Sequence, residues 1–131
     1  MAASESSDDV VAAQTAKWTA AFDKMDPGAM ASLYSKNAFF FGSNPNLYRG
    51  IDGVTAYFTG LPKWSSRKVE FTDVRAGQAA DNLVNFAGTA SFFVDGNAEP
   101  LLAVKMTWVI VREGDDWKIV SHHASSMAPL I

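Results

Sequence analysis

The chain is 131 residues long, carries a net charge of −3 and has no cysteine, which excludes disulfides, thiolate catalysis and thiolate metal ligation and fits a cytoplasmic protein. Its basic residues stand singly or in pairs, so neither a phosphate-tracking groove nor a nucleic-acid partner is expected, and no apolar run is long enough to span a bilayer. The length suits one domain with a sizeable core, and nine Phe and four Trp exceed what such a core needs, which points to a large pocket or a buried interface.

Residues 1–6 read as a disordered tail and 7–131 as a single domain; the opening has neither the basic start nor the apolar stretch of a signal peptide. Ser7 followed by Asp8 and Asp9 reads as an N-cap with two acids in the first helical turn. Val11, Thr15, Trp18, Phe22 and Met25 then fall on one stripe of a long amphipathic helix. Asp26-Pro27 ends that helix and caps a short second one, with Met30, Leu33 and Tyr34 as its buried face. Ala38 to Phe41 is a short strand, closed by the turn formers Gly42 to Asn46, and Leu47-Tyr48-Arg49 is placed to pair back on it. Ile51, Val54, Phe58 and Leu61 are helically spaced and end at Gly60 and Pro62.

Strands follow. Lys68 to Val74 alternates, with a one-residue bulge expected before Val74, and Gly77 to Asp81 is predicted to turn. In Leu83 to Val94 the residues Val84, Phe86, Gly88, Ala90 and Phe92 share a face, where the small Gly88 and Ala90 predict close approach by a helix or a ligand. After a turn at Asp95-Gly96-Asn97 comes a long hairpin, Leu101 to Val111 and Trp117 to His123, turning at Glu113 to Asp116. A loop centred on Gly114-Asp115 sets Arg112 opposite Trp117, Thr107 opposite His122 and Met106 opposite His123. Adjacent His122 and His123 must point to opposite faces, so at most one can enter any single cavity. Regular alternation puts Lys105, Thr107, Val109, Val120 and His122 on one face and Met106, Trp108, Ile110, Ile119 and His123 on the other. Both faces are largely apolar, so helices should cover one and another subunit the other. The pattern is α+β, a strongly bent, cone-shaped antiparallel or mixed sheet of five to six strands wrapped around a long N-terminal helix, with three helices in all.

Several stretches together resemble one family. They are Trp18 through Met25-Asp26-Pro27-Gly28 to Leu33-Tyr34, Asn37-Ala38-Phe39, Arg49-Gly50-Ile51-Asp52-Gly53-Val54 with Tyr57-Phe58, and above all Trp117-Lys118-Ile119-Val120-Ser121-His122-His123-Ala124-Ser125 with Met127. From about residue 8 to residue 128 the chain is similar to the nuclear transport factor two-like cone-fold superfamily, its SnoaL-like branch, and to proteins like the calcium/calmodulin-dependent kinase II association domain. The resemblance implies a cone with a mostly apolar cavity and a homodimer formed through the outer sheet face. The superfamily includes ketosteroid isomerase, scytalone dehydratase, polyketide cyclases and limonene epoxide hydrolase beside many members with no known reaction, so fold alone does not carry function. The isomerase's oxyanion tyrosine falls at Trp18 and its general-base aspartate at Gly42; a glycine supplies no base, so that mechanism does not transfer.

The candidate catalytic residues are His122, His123 and Lys105, and Trp18, Tyr34, Phe40, Phe58, Phe92 and Trp108 are the candidate ligand-binding wall around them. Related sequences often carry Arg at the place of Lys105, which would read an anionic oxygen on a small apolar or acidic ligand. Neither a metal nor a cofactor is expected, since adjacent histidines on opposite faces cannot chelate one ion. Two readings follow. The first is a non-catalytic small-molecule-binding or association domain acting as a homodimer or larger oligomer; the second is an isomerase, lyase or polyketide-cyclase-like enzyme using His122 or His123 with Lys105.

Overall fold

The computed structural model describes residues 5–131, so most of the expected tail lies outside the described residues. Three helices and six strands follow in the order α1 (Ser7–Asp23), α2 (Pro27–Ala31), β1 (Tyr34–Phe41), β2 (Tyr48–Arg49), α3 (Gly50–Thr59), β3 (Arg67–Ala80), β4 (Leu83–Val94), β5 (Leu102–Glu113) and β6 (Asp116–Ser126). The strands form one open sheet in the order β2-β1-β6-β5-β4-β3, antiparallel except for the parallel pair β1 and β6. All three helices lie on its concave side, α1 against β3 and β4 and α3 against β1. The convex face is covered by nothing among the described residues. This is the α+β cone expected, with no helix long and apolar enough to cross a membrane among the described residues.

Local chemistry explains most boundaries. Ser6, one residue before the expected cap, accepts from the Asp9 N–H, and Asp26 accepts from the Ala29 N–H with Pro27 at the first position of α2. Val11, Trp18 and Phe22 are buried as the stripe requires, but Met25 is 40% exposed, because the chain leaves the helix at Asp23 and Met25 adopts φ +53°. Gln14 is buried instead, donating to the Leu33 carbonyl at 3.3 Å.

Two strand assignments change. Tyr34 opens β1 rather than ending α2: the parallel partner β6 extends the pairing back to Tyr34 opposite Ile119, and the Ile119 N–H donates to the Leu33 carbonyl at 2.9 Å. The segment expected to turn at Gly77–Asp81 continues as strand to Ala80, because β4 offers partners as far as Leu83; only Asp81-Asn82 turns. The bulge before Val74 is present as a register shift between Thr72 and Arg75, with Asp73 at φ +53°. Its Thr72 carbonyl explains Gly88: a Cβ there would lie 3.3 Å from that oxygen and from the Phe86 ring, so the close approach comes from the sheet and its own strand, not from a helix or ligand.

The hairpin register holds near the turn, with Arg112 opposite Trp117, and then shifts by one residue between Val109 and Ile110, so that Ile119 faces Ile110 and Ser121 faces Val109. Val120 is the extra residue. Beyond it Trp108 faces His122 and Thr107 faces His123, one position away from the register expected from regular alternation. The bulge therefore exchanges the histidines between faces: His122 joins Met106, Trp108, Ile110 and Ile119 on the concave side, and His123 joins Lys105, Thr107 and Val109 on the convex side.

One buried cation ties helix to sheet. Arg67, 6% exposed at the start of β3, donates from Nε to the Phe22 carbonyl at 2.6 Å and lays its guanidinium 4.4 Å from the Phe22 ring centroid. Since α1 has no basic residue in its last turn, Arg67 supplies the positive charge that its C-terminal carbonyls favour. Arg67→Met, which keeps the stem and removes the charged hydrogen bond, should lower unfolding free energy by about 1.5–3 kcal/mol, read as a lower urea midpoint at unchanged slope.

Candidate functional site

A cavity of about 300 Å³ lies between α1, α3 and the concave face of the sheet. Trp18 and Phe22 come from α1, Phe40 from β1, Phe58 from α3, Phe92 from β4 and His122 from β6. The Trp18 ring meets Phe58 and Phe92 edge-on at 6.0 and 6.2 Å, and His122 stacks on Phe40 at 4.0 Å. Gly42, Ser43, Leu61, Leu102 and Ser126 line the mouth, where Ser43, Leu102 and Ser126 are exposed. No Asp, Glu, Lys or Arg contributes to the lining.

Behind the cavity wall runs a buried hydrogen-bond chain. Trp18 Nε1 donates to the Tyr34 hydroxyl at 2.9 Å, the Tyr34 hydroxyl lies 2.8 Å from His122 Nδ1, and Trp108 Nε1 donates to the same Nδ1 at 3.0 Å. An indole N–H can only donate, so Nδ1 carries no proton and Tyr34 must donate to it as well. The neutral ring then bears its hydrogen on Nε2. Among the described residues nothing in the protein hydrogen-bonds Nε2, and the one fully buried side-chain polar atom without a partner is Arg67 Nη2, so Nε2 retains access to the cavity. Burial, and secondarily the nearby His123, push His122 down to about 3. Burial drives the Tyr34 hydroxyl the other way, far above its ordinary value, against the bond from Trp18. Neither group ionises near neutrality.

Of the sequence candidates, the cavity brings together Trp18, Phe40, Phe58, Phe92 and His122. Tyr34 and Trp108 are buried behind it as partners of His122. Lys105 and His123 stand apart: both are exposed on the convex face, Lys105 opposite Thr89 and Ser125, His123 against Phe41 at 5.6 Å. Lys105 is there because it alternates with the buried Met106 and Trp108 on β5, and the bulge at Val120 puts His123 on the same side, so neither side chain lines the cavity. Among the described residues no three His, Asp or Glu converge.

Tyr57 is the residue that sequence reasoning missed. Its ring packs on Phe40 at 4.6 Å, its hydroxyl donates to Ser43 Oγ at 2.8 Å and accepts from the Ser43 N–H at 2.8 Å, and it fills the space beside Gly42, where a Cβ would lie 2.5 Å from the Tyr57 hydroxyl. The space beside Gly42 is thus occupied by a tyrosine. The signal was the glycine itself, at the end of an aromatic strand.

The model of the SnoaL-like domain matches residues 11–129. The chain belongs to the SnoaL-like family. Among curated proteins none matches this SnoaL-like chain. It is similar in structure to a candidate calcium/calmodulin-dependent protein kinase II association domain from Xanthomonas campestris, with TM-score 0.82 and 22% identity over 97% of this chain and 91% of the other. It is similar also to the hexachlorocyclohexane dehydrochlorinase LinA-type3 from Novosphingobium barchaimii, with TM-score 0.75, 16% identity and coverage of 91% and 85%. A third is a nuclear transport factor two-like protein of unknown function from Pseudomonas putida, with TM-score 0.78, 14% identity and coverage of 92% and 86%. At such identities the likeness is one of fold.

Two predictions follow from this geometry. Because folded His122 is held near 3 and an unfolded histidine titrates near 6.5, unfolding takes up about one proton between those values, so stability is retained above pH 6.5 and falls as pH drops toward 3, by up to about 1.4 kcal/mol per unit. His122→Asn, which keeps an acceptor for Trp108 and Tyr34, should flatten this slope in urea denaturation at stepped pH. Gly42→Ala should cost about 1–3 kcal/mol by displacing Tyr57, and most of that cost should vanish in a Tyr57→Ala background, as a double-mutant cycle would measure.

Proposed function

We propose that this SnoaL-like domain binds a small apolar molecule in the aromatic cavity, performs no proton-transfer chemistry there, and works as a homodimer or higher homo-oligomer through the convex face of its sheet. The observation that carries the reading is the composition of the cavity wall: aromatic and aliphatic groups around one neutral imidazole, with hydroxyls toward the mouth and no ionised side chain. A ligand gains from burial of its apolar surface and finds no charge that must be desolvated. The volume sits at the lower end of the roughly 300–1,000 Å³ typical of small-molecule sites, which favours a compact ligand.

The enzyme alternative draws on the fold shared with a dehydrochlorinase. It would need His122 to accept a proton, yet the nitrogen facing the cavity already carries one and the other already accepts two hydrogen bonds. A binding role is the better fit. A second copy is the natural cover for the convex face, where the half-buried Val109, Val111 and Phe93 sit among small neutral side chains such as Ala87 and Thr89, and an identical face can meet it about a two-fold axis.

Titration with the neutral dye Nile red should give a blue-shifted, saturable signal near one dye per chain. Ala124→Trp, which fills the cavity from β6, should weaken it more than tenfold without unfolding the protein. No uptake by the unmodified protein, or equal uptake by the variant, would sink the binding reading. Val109→Asp should shift a dimer to monomer in sedimentation velocity, and an unmodified protein sedimenting as a monomer would refute the assembly.

A further inference from the structure

His122 is 2% exposed, and its Nε2–H is a donor without a protein acceptor, turned toward a space whose other deep groups are hydrocarbon. A donor left in that position is costly unless the occupant of the cavity meets it. Its identity as a donor is set by three side chains that do not themselves line the cavity through a polar atom: Trp108 and Tyr34 occupy Nδ1, and Trp18 spends its own N–H on Tyr34. Of the remaining lining hydroxyls, those of Ser43 and Tyr57 satisfy each other at the mouth, Ser126 Oγ accepts from the Ala128 N–H, and Ser125 alternates to the convex side opposite Lys105.

We propose that the ligand is a neutral molecule with a flat apolar body and one carbonyl-type oxygen, seated so that this oxygen accepts a hydrogen bond from His122 Nε2–H. The inference rests on the small-molecule reading above and narrows it to a ligand class. A carboxylate is disfavoured, because no Lys or Arg lines the cavity, Lys105 being on the opposite face of the sheet, and the imidazole stays uncharged. A ligand anchored by donating to His122 is disfavoured too, since the ring has no free lone pair on the cavity side. The edge-on arrangement of Phe58 and Phe92 around Trp18 leaves ring surfaces against which a flat body packs, and the stack of His122 on Phe40 fixes the direction of the N–H. Tyr34 and Trp108 are positioning residues: they act on the ligand only by holding the imidazole in one tautomer and one plane.

Three probes of matched shape test this by calorimetry: 2-acetylnaphthalene, its isostere 2-isopropenylnaphthalene, in which a methylene replaces the carbonyl oxygen, and 2-naphthoate. The ketone should bind about tenfold more tightly than the alkene, the worth of one neutral hydrogen bond, and the carboxylate should bind more weakly than either. The carbonyl stretch of the isotope-labelled ketone should move to lower frequency in the unmodified protein and return in His122→Phe. Nitrogen-15 spectra of the unmodified protein, which need no variant to fold, should show Nε2 protonated and Nδ1 bare. Equal binding of ketone and alkene, tightest binding of the carboxylate, an unshifted carbonyl or a protonated Nδ1 would each overturn the inference while leaving a binding domain. Failure of all three probes together with Nile red would overturn the binding reading itself.

Discussion

Two hydrogens converge on one lone pair at His122 Nδ1, from the indole of Trp108 on β5 and the phenol of Tyr34 on β1, while the indole of Trp18 on α1 holds the phenol. These four residues are each no more than 2% exposed, and they come from four different elements. In so dry a setting a missing partner costs far more than a made bond gains, so each element is held at one depth and one rotation relative to the others. The arrangement also decides the chemistry. A histidine whose Nδ1–H gave to a carboxylate would present a bare Nε2 and act as a base; here the inputs are reversed, and the same ring presents a hydrogen.

That ring faces inward only because of Val120. One extra residue in β6 turns the pleat over, and every side chain beyond it changes side. A regular hairpin would have put His123 in the cavity and His122 on the convex face beside Lys105. The bulge thus decides which of the two histidines enters the cavity and keeps His122 apart from Lys105.

The fold was legible because its signals are redundant. The stripe Val11, Trp18, Phe22, the cap at Asp26-Pro27, the spacing of Val54 and Phe58 and the alternation of Val84, Phe86 and Ala90 each point to one element and agree with one another. The site was half legible. Trp18, Phe40, Phe58, Phe92 and His122 could be named because large aromatics and a histidine stand out in any sequence. Their separation from Lys105 and His123 could not, because the Val120 bulge has no composition of its own: either register buries an apolar set and one histidine, and the choice is made by the parallel strand β1 pairing Phe40 with His122. Tyr34 was misplaced for a related reason, since a parallel partner more than eighty residues away leaves no local mark.

The same parallel pair sets the order in which the molecule can come together. β1 and β6 are adjacent in the sheet, yet the chain between them includes every other strand, so their contact closes the longest loop of any strand pairing and carries the largest entropic toll among those pairings. On a ribosome the helices and the β3-β4-β5 meander can form as they emerge, but Trp18 and Phe40 wait without His122 until the last strand of the domain has been made. During that interval the aromatic wall is an exposed sticky surface, open to chaperones or to other nascent copies. The cavity is complete only once β6 has docked, and it is the first part of the domain to be lost when β6 detaches.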